Sequence, residues 1–160
     1  MFTTENIFNI INLIVLLGWI PLFIFPYSRF TRKLVDGLYL PFFLCVFYLY
    51  FLSQTKGLFS ADFSSLGGIL DLFKNSTEES AAAGWIHYLA FDYFVGCWIV
   101  NHSIIKRIPY IIFIIPLIFT LFAGPFGLLL FLIFRLFYKQ FTLKDAEQDW
   151  QKIQNYGVDL

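Results

Sequence analysis

The sequence predicts an all-α fold, an integral membrane four-helix bundle, on three observations. The chain of 160 residues is 59% hydrophobic and only 14% charged, whereas soluble domains carry about 25% charged residues. Its apolar residues fall in blocks, each long enough for a hydrocarbon core that takes about 20 helical residues. Basic or proline-bearing turns separate the blocks, and no block is left over for a soluble domain.

The first span covers residues 4–27 and ends at Pro26 and the cluster Arg29, Arg32 and Lys33. Asn6, Asn9 and Asn12 recur every third residue, which predicts a polar stripe facing protein rather than lipid. No Lys or Arg precedes this run, it is long, and no small-residue cleavage site follows, so it reads as a retained span rather than a signal peptide. An Arg-rich, Ser-rich transit segment is likewise missing from the reading. The second span covers 33–53, dense in Phe, Leu and Tyr, with Pro41 expected to bend it. Asp36 at its entrance pairs with Arg32 as a surface ion pair.

Between the second and third spans, Phe63, Leu66, Ile69, Leu70 and Phe73 share one helical face and predict a short interfacial helix over 61–73. Asn75-Ser76-Thr77 matches a glycosylation acceptor, a pattern common by chance. Ser76-Thr77-Glu78-Glu79 reads as a capping box that opens the third span, 78–101. The short turn at Lys106, Arg107 and Pro109 makes the third and fourth spans antiparallel neighbours.

The last apolar stretch, 108–138, would be about 45 Å long as one helix, against about 30 Å of hydrocarbon. It reads as a single kinked, overlong fourth span, with breaks at Pro116 and Gly124-Pro125-Phe126-Gly127. Turning back at Gly124-Pro125 would bring the tail to the side of the basic turns, but would leave each half too short to cross. Residues 1–140 thus form one transmembrane domain. Residues 141–160 form a polar tail with scattered Trp150 and Tyr156, read as a short surface helix followed by disorder.

The net charge is zero and the basic residues form short clusters, which gives no footprint for nucleic acid. Cys45 and Cys97 lie in apolar runs without ligand spacing, so neither a disulfide framework nor a metal site is suggested, and no cofactor motif is present. The partner that the composition itself names is the lipid bilayer.

The chemistry centres on Asp92, in Trp85-Ile86-His87-Tyr88-Leu89-Ala90-Phe91-Asp92-Tyr93-Phe94-Val95-Gly96-Cys97-Trp98. An Asp at the centre of a membrane helix costs roughly 2.5–3.5 kcal/mol, so it needs a partner, a cavity or a chemical role. Trp85, Tyr88, Leu89, Asp92, Gly96 and Ile99 share one helical face, while His87, Phe91, Phe94, Trp98 and Asn101 share the opposite one. His87 and Asp92 therefore point apart and form no direct dyad. Depth counting places Asn12 near the level of His87 and residues 116–120 near Asp92. Arg135 belongs nearer the surface, snorkelling to the interface. The catalytic candidates are Asp92 and His87; the substrate-binding candidates are Trp85, Tyr88, Asn12, Trp98 and Thr120. A bland reading stands beside each. Asn9, Asn12 and His87 suit interhelical hydrogen bonds worth about 0.6 kcal/mol, His102 suits the interface, and an Asp92 bonded to Tyr88, Thr120 or a freed carbonyl is structural.

The stretch Trp85-Ile86-His87-Tyr88-Leu89-Ala90-Phe91-Asp92 with Val95-Gly96, followed by Gly124-Pro125-Phe126-Gly127-Leu128-Leu129-Leu130 and Arg135, resembles the abscisic-acid-deficient-four-like family of small membrane proteins. In plants that family is tied to neoxanthin synthesis, in which violaxanthin is isomerised to an allenic xanthophyll. The resemblance implies a carotenoid or related isoprenoid substrate and an isomerase that needs a proton donor at an epoxide oxygen and a base at a neighbouring carbon, with no redox change and no cofactor. Asp92 would donate and His87 or another base would accept. The Phe, Ile and Lys usage and the lack of a plastid-type extension point to a bacterial, multi-pass inner-membrane member.

Two other readings remain open. A non-catalytic scaffold or assembly factor would hold a membrane-enzyme partner, or a second copy as a homodimer, through its aromatic faces. Transport of a small solute or proton would use an intramembrane Asp and proline-broken helices.

Overall fold

The computed structural model describes residues 3–55 and 62–138, which form seven helices and, among the described residues, no strand. The tail expected over 141–160 lies outside them. Helix α1 (Thr4–Ile24) opens on Thr3, whose hydroxyl accepts from the Asn6 amide at 3.2 Å. It buries Ile11, Val15, Trp19 and Leu22, a stripe at helical spacing. The expected asparagine stripe does not form: Asn6 and Asn9 are exposed and only Asn12 is half-buried. A three-residue step falls about 60° short of a full turn, so the three side chains fan around the helix instead of sharing a face.

Helices α2 (Arg29–Gly37) and α3 (Tyr39–Gln54) replace the continuous span expected over 33–53. Leu38 adopts a left-handed conformation with φ 47°. Pro41 supplies the reason, because in an unbroken helix its ring would strike the Gly37 carbonyl four residues back. Helix α2 turns Thr31 and Val35 inward and leaves Arg29, Arg32, Lys33 and Asp36 exposed. The Thr31 hydroxyl donates to the Phe25 carbonyl at 2.7 Å and ties α2 to the end of α1.

Helix α4 (Leu66–Lys74) starts later than the interfacial helix expected over 61–73. Asp62 accepts from the Ser64 amide and from the Ser64 and Ser65 hydroxyls, at 2.8, 2.6 and 2.5 Å, and Ser65 then caps the helix. Those donors hold the Asp62 carboxyl down at about 2. Leu66, Leu70 and Phe73 are all exposed, and among the described residues α4 packs on no other helix.

Helix α5 (Glu78–Ile105) is the axis of the fold and touches α1, α2, α3, α6 and α7. Its cap lies one residue later than the sequence suggests. Thr77 and Ser80 form the reciprocal box, while the Ser76 hydroxyl turns back and donates to the Phe73 carbonyl at 2.9 Å at the end of α4. Glu79 instead meets the Thr4 hydroxyl at 3.4 Å. Gly96 lets the Trp19 indole lie on the backbone of α5, and Trp19 meets Tyr93 edge-on at 5.4 Å. Small residues at such crossings let apolar helices gain dispersion contacts that lipid would otherwise supply.

The stretch 108–138, expected as one kinked helix, is two helices. Helices α6 (Tyr110–Phe122) and α7 (Gly124–Phe137) are joined by Ala123 alone, in extended conformation at φ −157°. They fold back on each other as a hairpin. Its two ends meet where the Tyr138 hydroxyl donates to the Arg107 carbonyl at 3.1 Å. Near the tip, Phe119 packs edge-on against Phe126 at 5.1 Å, and Gly127 sits so close to the Thr120 backbone that a Cβ would overlap it. Pro125 near the start of α7 lacks the N–H that a continuing helix would use, and Gly127 permits the close return against Thr120.

Two stretches, Thr4–Ile24 and Arg29–Gln54, are long and apolar enough to cross a membrane. Each hairpin arm is about 20 Å long, short of the roughly 30 Å hydrocarbon core.

Candidate functional site

Asp92 lies fourteen residues into the 28 of α5, about 20 Å from either end. It is buried, at 5% exposure, and the hairpin tip is what buries it. The carboxyl faces the Gly124 amide and the Tyr88 hydroxyl, and a Cβ on Gly124 would overlap its Oδ1. Its Oδ2 is buried without a hydrogen-bond partner. Gly124 is the first residue of α7, where amides have no partner within the helix and the helix dipole favours negative charge.

Tyr88, one turn before Asp92 on the same face, donates its hydroxyl to the Phe122 carbonyl at 2.7 Å. Phe122 ends α6, and its carbonyl is one that the Gly124-Pro125 break leaves free. The Trp85 ring lies 5.5 Å from the Tyr88 ring, and the Trp85 indole N–H donates to Asn12 Oδ1 at 2.8 Å. The Asn12 amide in turn donates to the Phe8 carbonyl at 2.8 Å. This chain of contacts runs from α1 through one face of α5 to the hairpin tip.

Thr120 stands at the level of Asp92. Leu117 packs beside Gly96 and Phe122 reaches Tyr88, so the antiparallel register sets residues between them opposite Asp92. The Thr120 hydroxyl is buried and occupied by the Pro116 carbonyl at 2.8 Å.

The structure does not bring His87 or Trp98 to this site. His87 is exposed on the other side of α5, its ring 5.5 Å from Tyr48 and 4.8 Å from Phe91. Trp98 lies further along, stacked on His102 at 5.1 Å and edge-on to Phe131 at 5.6 Å. Among the described residues, no three of His, Cys, Asp and Glu converge on one point.

Sequence reasoning missed Gly124 and the Phe122 carbonyl as parts of the site. The Gly124-Pro125 pair signals a break, but one-dimensional spacing does not say that the break folds onto Asp92.

The sequence model of the ABA DEFICIENT 4-like family matches residues 6–131. The chain belongs to the ABA DEFICIENT 4-like family. No curated protein matches it, and no solved structure does. The segment matched by the ABA DEFICIENT 4-like model holds Asn12, Trp85, Tyr88, Asp92 and the whole hairpin tip, and it stops before Arg135 and Tyr138.

Proposed function

We propose that this protein is a multi-pass membrane protein of carotenoid or xanthophyll metabolism that binds and isomerises an epoxy-carotenoid or related isoprenoid against the α6–α7 hairpin, with Asp92 handling the proton. Membership of the ABA DEFICIENT 4-like family supports the substrate class. In this reading α1, the α2–α3 pair and α5 cross the bilayer, and α6–α7 is a re-entrant hairpin whose tip meets Asp92 at mid-depth. Broken backbone at that depth is tolerable only where protein or a cavity covers it, and Tyr88 and Asp92 supply that cover. Among the described residues, Arg29, Arg32, Lys33, Lys106, Arg107 and Arg135 then share one side. Lys74 lies on the other with Glu5, Asp62, Asp71, Glu78 and Glu79, so the positive-inside rule turns the hairpin's open end to the cytoplasm.

The observation that carries the proposal is the buried, half-partnered Asp92 carboxyl at a helix break in the centre of an apolar protein. Trp85 and Phe122 beside it are exposed, at 45% and 74%, which lets a lipid-dissolved polyene approach sideways. With the Tyr88 proton engaged by Phe122, a protonated Asp92 gives its proton to an epoxide oxygen as the ring C–O bond opens. The resulting carboxylate then takes a proton from the neighbouring polyene carbon, leaving an allenic alcohol and a regenerated acid. Atoms and charge balance with one residue acting in both directions.

A second reading has an observation of its own. Tyr88 on the Phe122 carbonyl and Asp92 against Gly124 latch the hairpin to α5, as a non-catalytic scaffold would need. Pigment profiles by chromatography with mass detection separate the two, in cells carrying the native gene, a deletion, or Asp92→Asn at equal membrane abundance. Asn keeps the latch's acceptor but cannot supply the proton. A precursor that accumulates in both the deletion and the variant supports the isomerase; a variant with the native profile refutes it.

A further inference from the structure

We propose that a cavity between the C-terminal ends of α5 and α7 binds a phosphate group at the basic face of the protein, carried by an anionic lipid headgroup or free in solution. The cavity measures about 60 Å³ and is lined by His102, Lys106, Ile108, Arg135 and Tyr138. One water needs about 10–15 Å³ measured this way, so the space takes a group of several heavy atoms. Its described lining holds two cations and no carboxylate, and an anion between them removes their mutual repulsion.

The neutral polar groups also suit an anion. The His102 ring is fixed by Trp98, stacked at 5.1 Å, and by Phe131, edge-on at 5.9 Å. Its Nε2 is buried without a partner, and a neutral imidazole can present an N–H there. The Tyr138 hydroxyl is committed to the Arg107 carbonyl, so it walls the cavity and pins α7 to the α5–α6 turn rather than binding the ligand. Arg135 offers the planar fork that matches phosphate oxygens, and Lys106 adds a point charge.

The location favours a membrane-borne ligand. The Tyr110 hydroxyl donates to the Phe23 carbonyl at 2.7 Å and Tyr27 meets Phe113 edge-on at 6.4 Å, which sets the α1–α2 turn and its Arg29, Arg32 and Lys33 on the same face. Basic pockets between membrane helices on the cytoplasmic side are sites for acidic headgroups. The lipid source rests on the membrane topology proposed above, but none of the lining residues belongs to the Asp92 site, so phosphate binding and the chemistry at Asp92 are tested separately.

The test uses the full chain purified in neutral detergent, with its thermal midpoint followed against dihexanoyl-phosphatidylglycerol, dihexanoyl-phosphatidylcholine and inorganic phosphate. Phosphatidylglycerol or inorganic phosphate is expected to raise the midpoint at a half-saturating concentration at least tenfold below that of phosphatidylcholine. The glycerolipid acting below the inorganic ion assigns a headgroup; equal action assigns phosphate itself. Lys106→Gln with Arg135→Gln should raise that concentration tenfold or more, while Arg32→Gln, an exposed cation on the same face, should change it less than twofold. Where the double variant fails to fold, His102→Gln and Arg135→Gln are read singly, and each should weaken binding at least threefold. Phosphatidylcholine matching both anions, Arg32→Gln losing as much as the cavity variants, or single variants that bind as wild type would overturn the proposal.

Discussion

Gly124→Ala tests the closest contact in the candidate site. The new methyl would overlap Asp92 Oδ1 and come within 2.6 Å of its Cγ, and Asp92 is buried with little room to turn. The backbone at Gly124 lies outside the left-handed region, so alanine brings a steric cost and no conformational one. Overpacking of this kind costs about 1–3 kcal/mol, and withdrawal of the tip adds the Tyr88–Phe122 hydrogen bond at about 0.6 kcal/mol, for about 2–4 kcal/mol together. Gly84→Ala is the matched control on α5: nothing lies within 4 Å of its Cβ, so alanine should stabilise by about 0.5–1 kcal/mol. The assay is equilibrium unfolding in mixed micelles of both variants, and of Gly124→Ala combined with Asp92→Ala. Removing the carboxyl clears the obstacle, so the double variant should show a coupling above about 1 kcal/mol. Gly124→Ala as stable as Gly84→Ala, or strict additivity with Asp92→Ala, would show that the tip does not rest on Asp92.

Single cysteines placed at Arg29, Lys74 and Tyr138 in a background without Cys45 and Cys97 report sidedness through a membrane-impermeant thiol reagent. Positions 29 and 138 should label from one side and 74 from the other; labelling of 138 together with 74 would mean that the last stretch crosses. Gly96→Ala sets a methyl 2.6 Å from the buried Trp19 ring and should cost about 1–3 kcal/mol; an unchanged unfolding midpoint would remove this crossing from the account. Thr77→Ala should cost about 1 kcal/mol as loss of an N-cap, and Ser76→Ala clearly less, because the box uses Thr77 and Ser80; the reverse order in the same unfolding assay would restore the capping register first read from the sequence.

The helical class, the apolar blocks and the singular status of Asp92 follow from composition and local pattern, because a backbone among apolar side chains must satisfy its own polar groups and a carboxylate buried among them is costly wherever the helix packs. The opposition of His87 and Asp92 is equally local, a matter of 100° per residue. The fanning of Asn6 and Asn9 and the break at Leu38 are local too, matters of the helical step and of Pro41, whereas the return of the last stretch depends on contacts between segments distant in the chain. Thr77 rather than Ser76 caps α5, and Ser76 turns its hydroxyl to the end of α4. The hairpin forms because Gly127 lets α7 lie on α6, Gly124 lets the tip rest on Asp92, and Tyr88 and the Arg107 carbonyl hold its tip and its end. The sequence by itself determined which residues are apolar, where the helix breaks, and which acid is out of place. Only the tertiary structure decided that the break turns back onto that acid, since a Gly-Pro kink and a Gly-Pro turn share the same local chemistry and differ in what waits on the neighbouring helix.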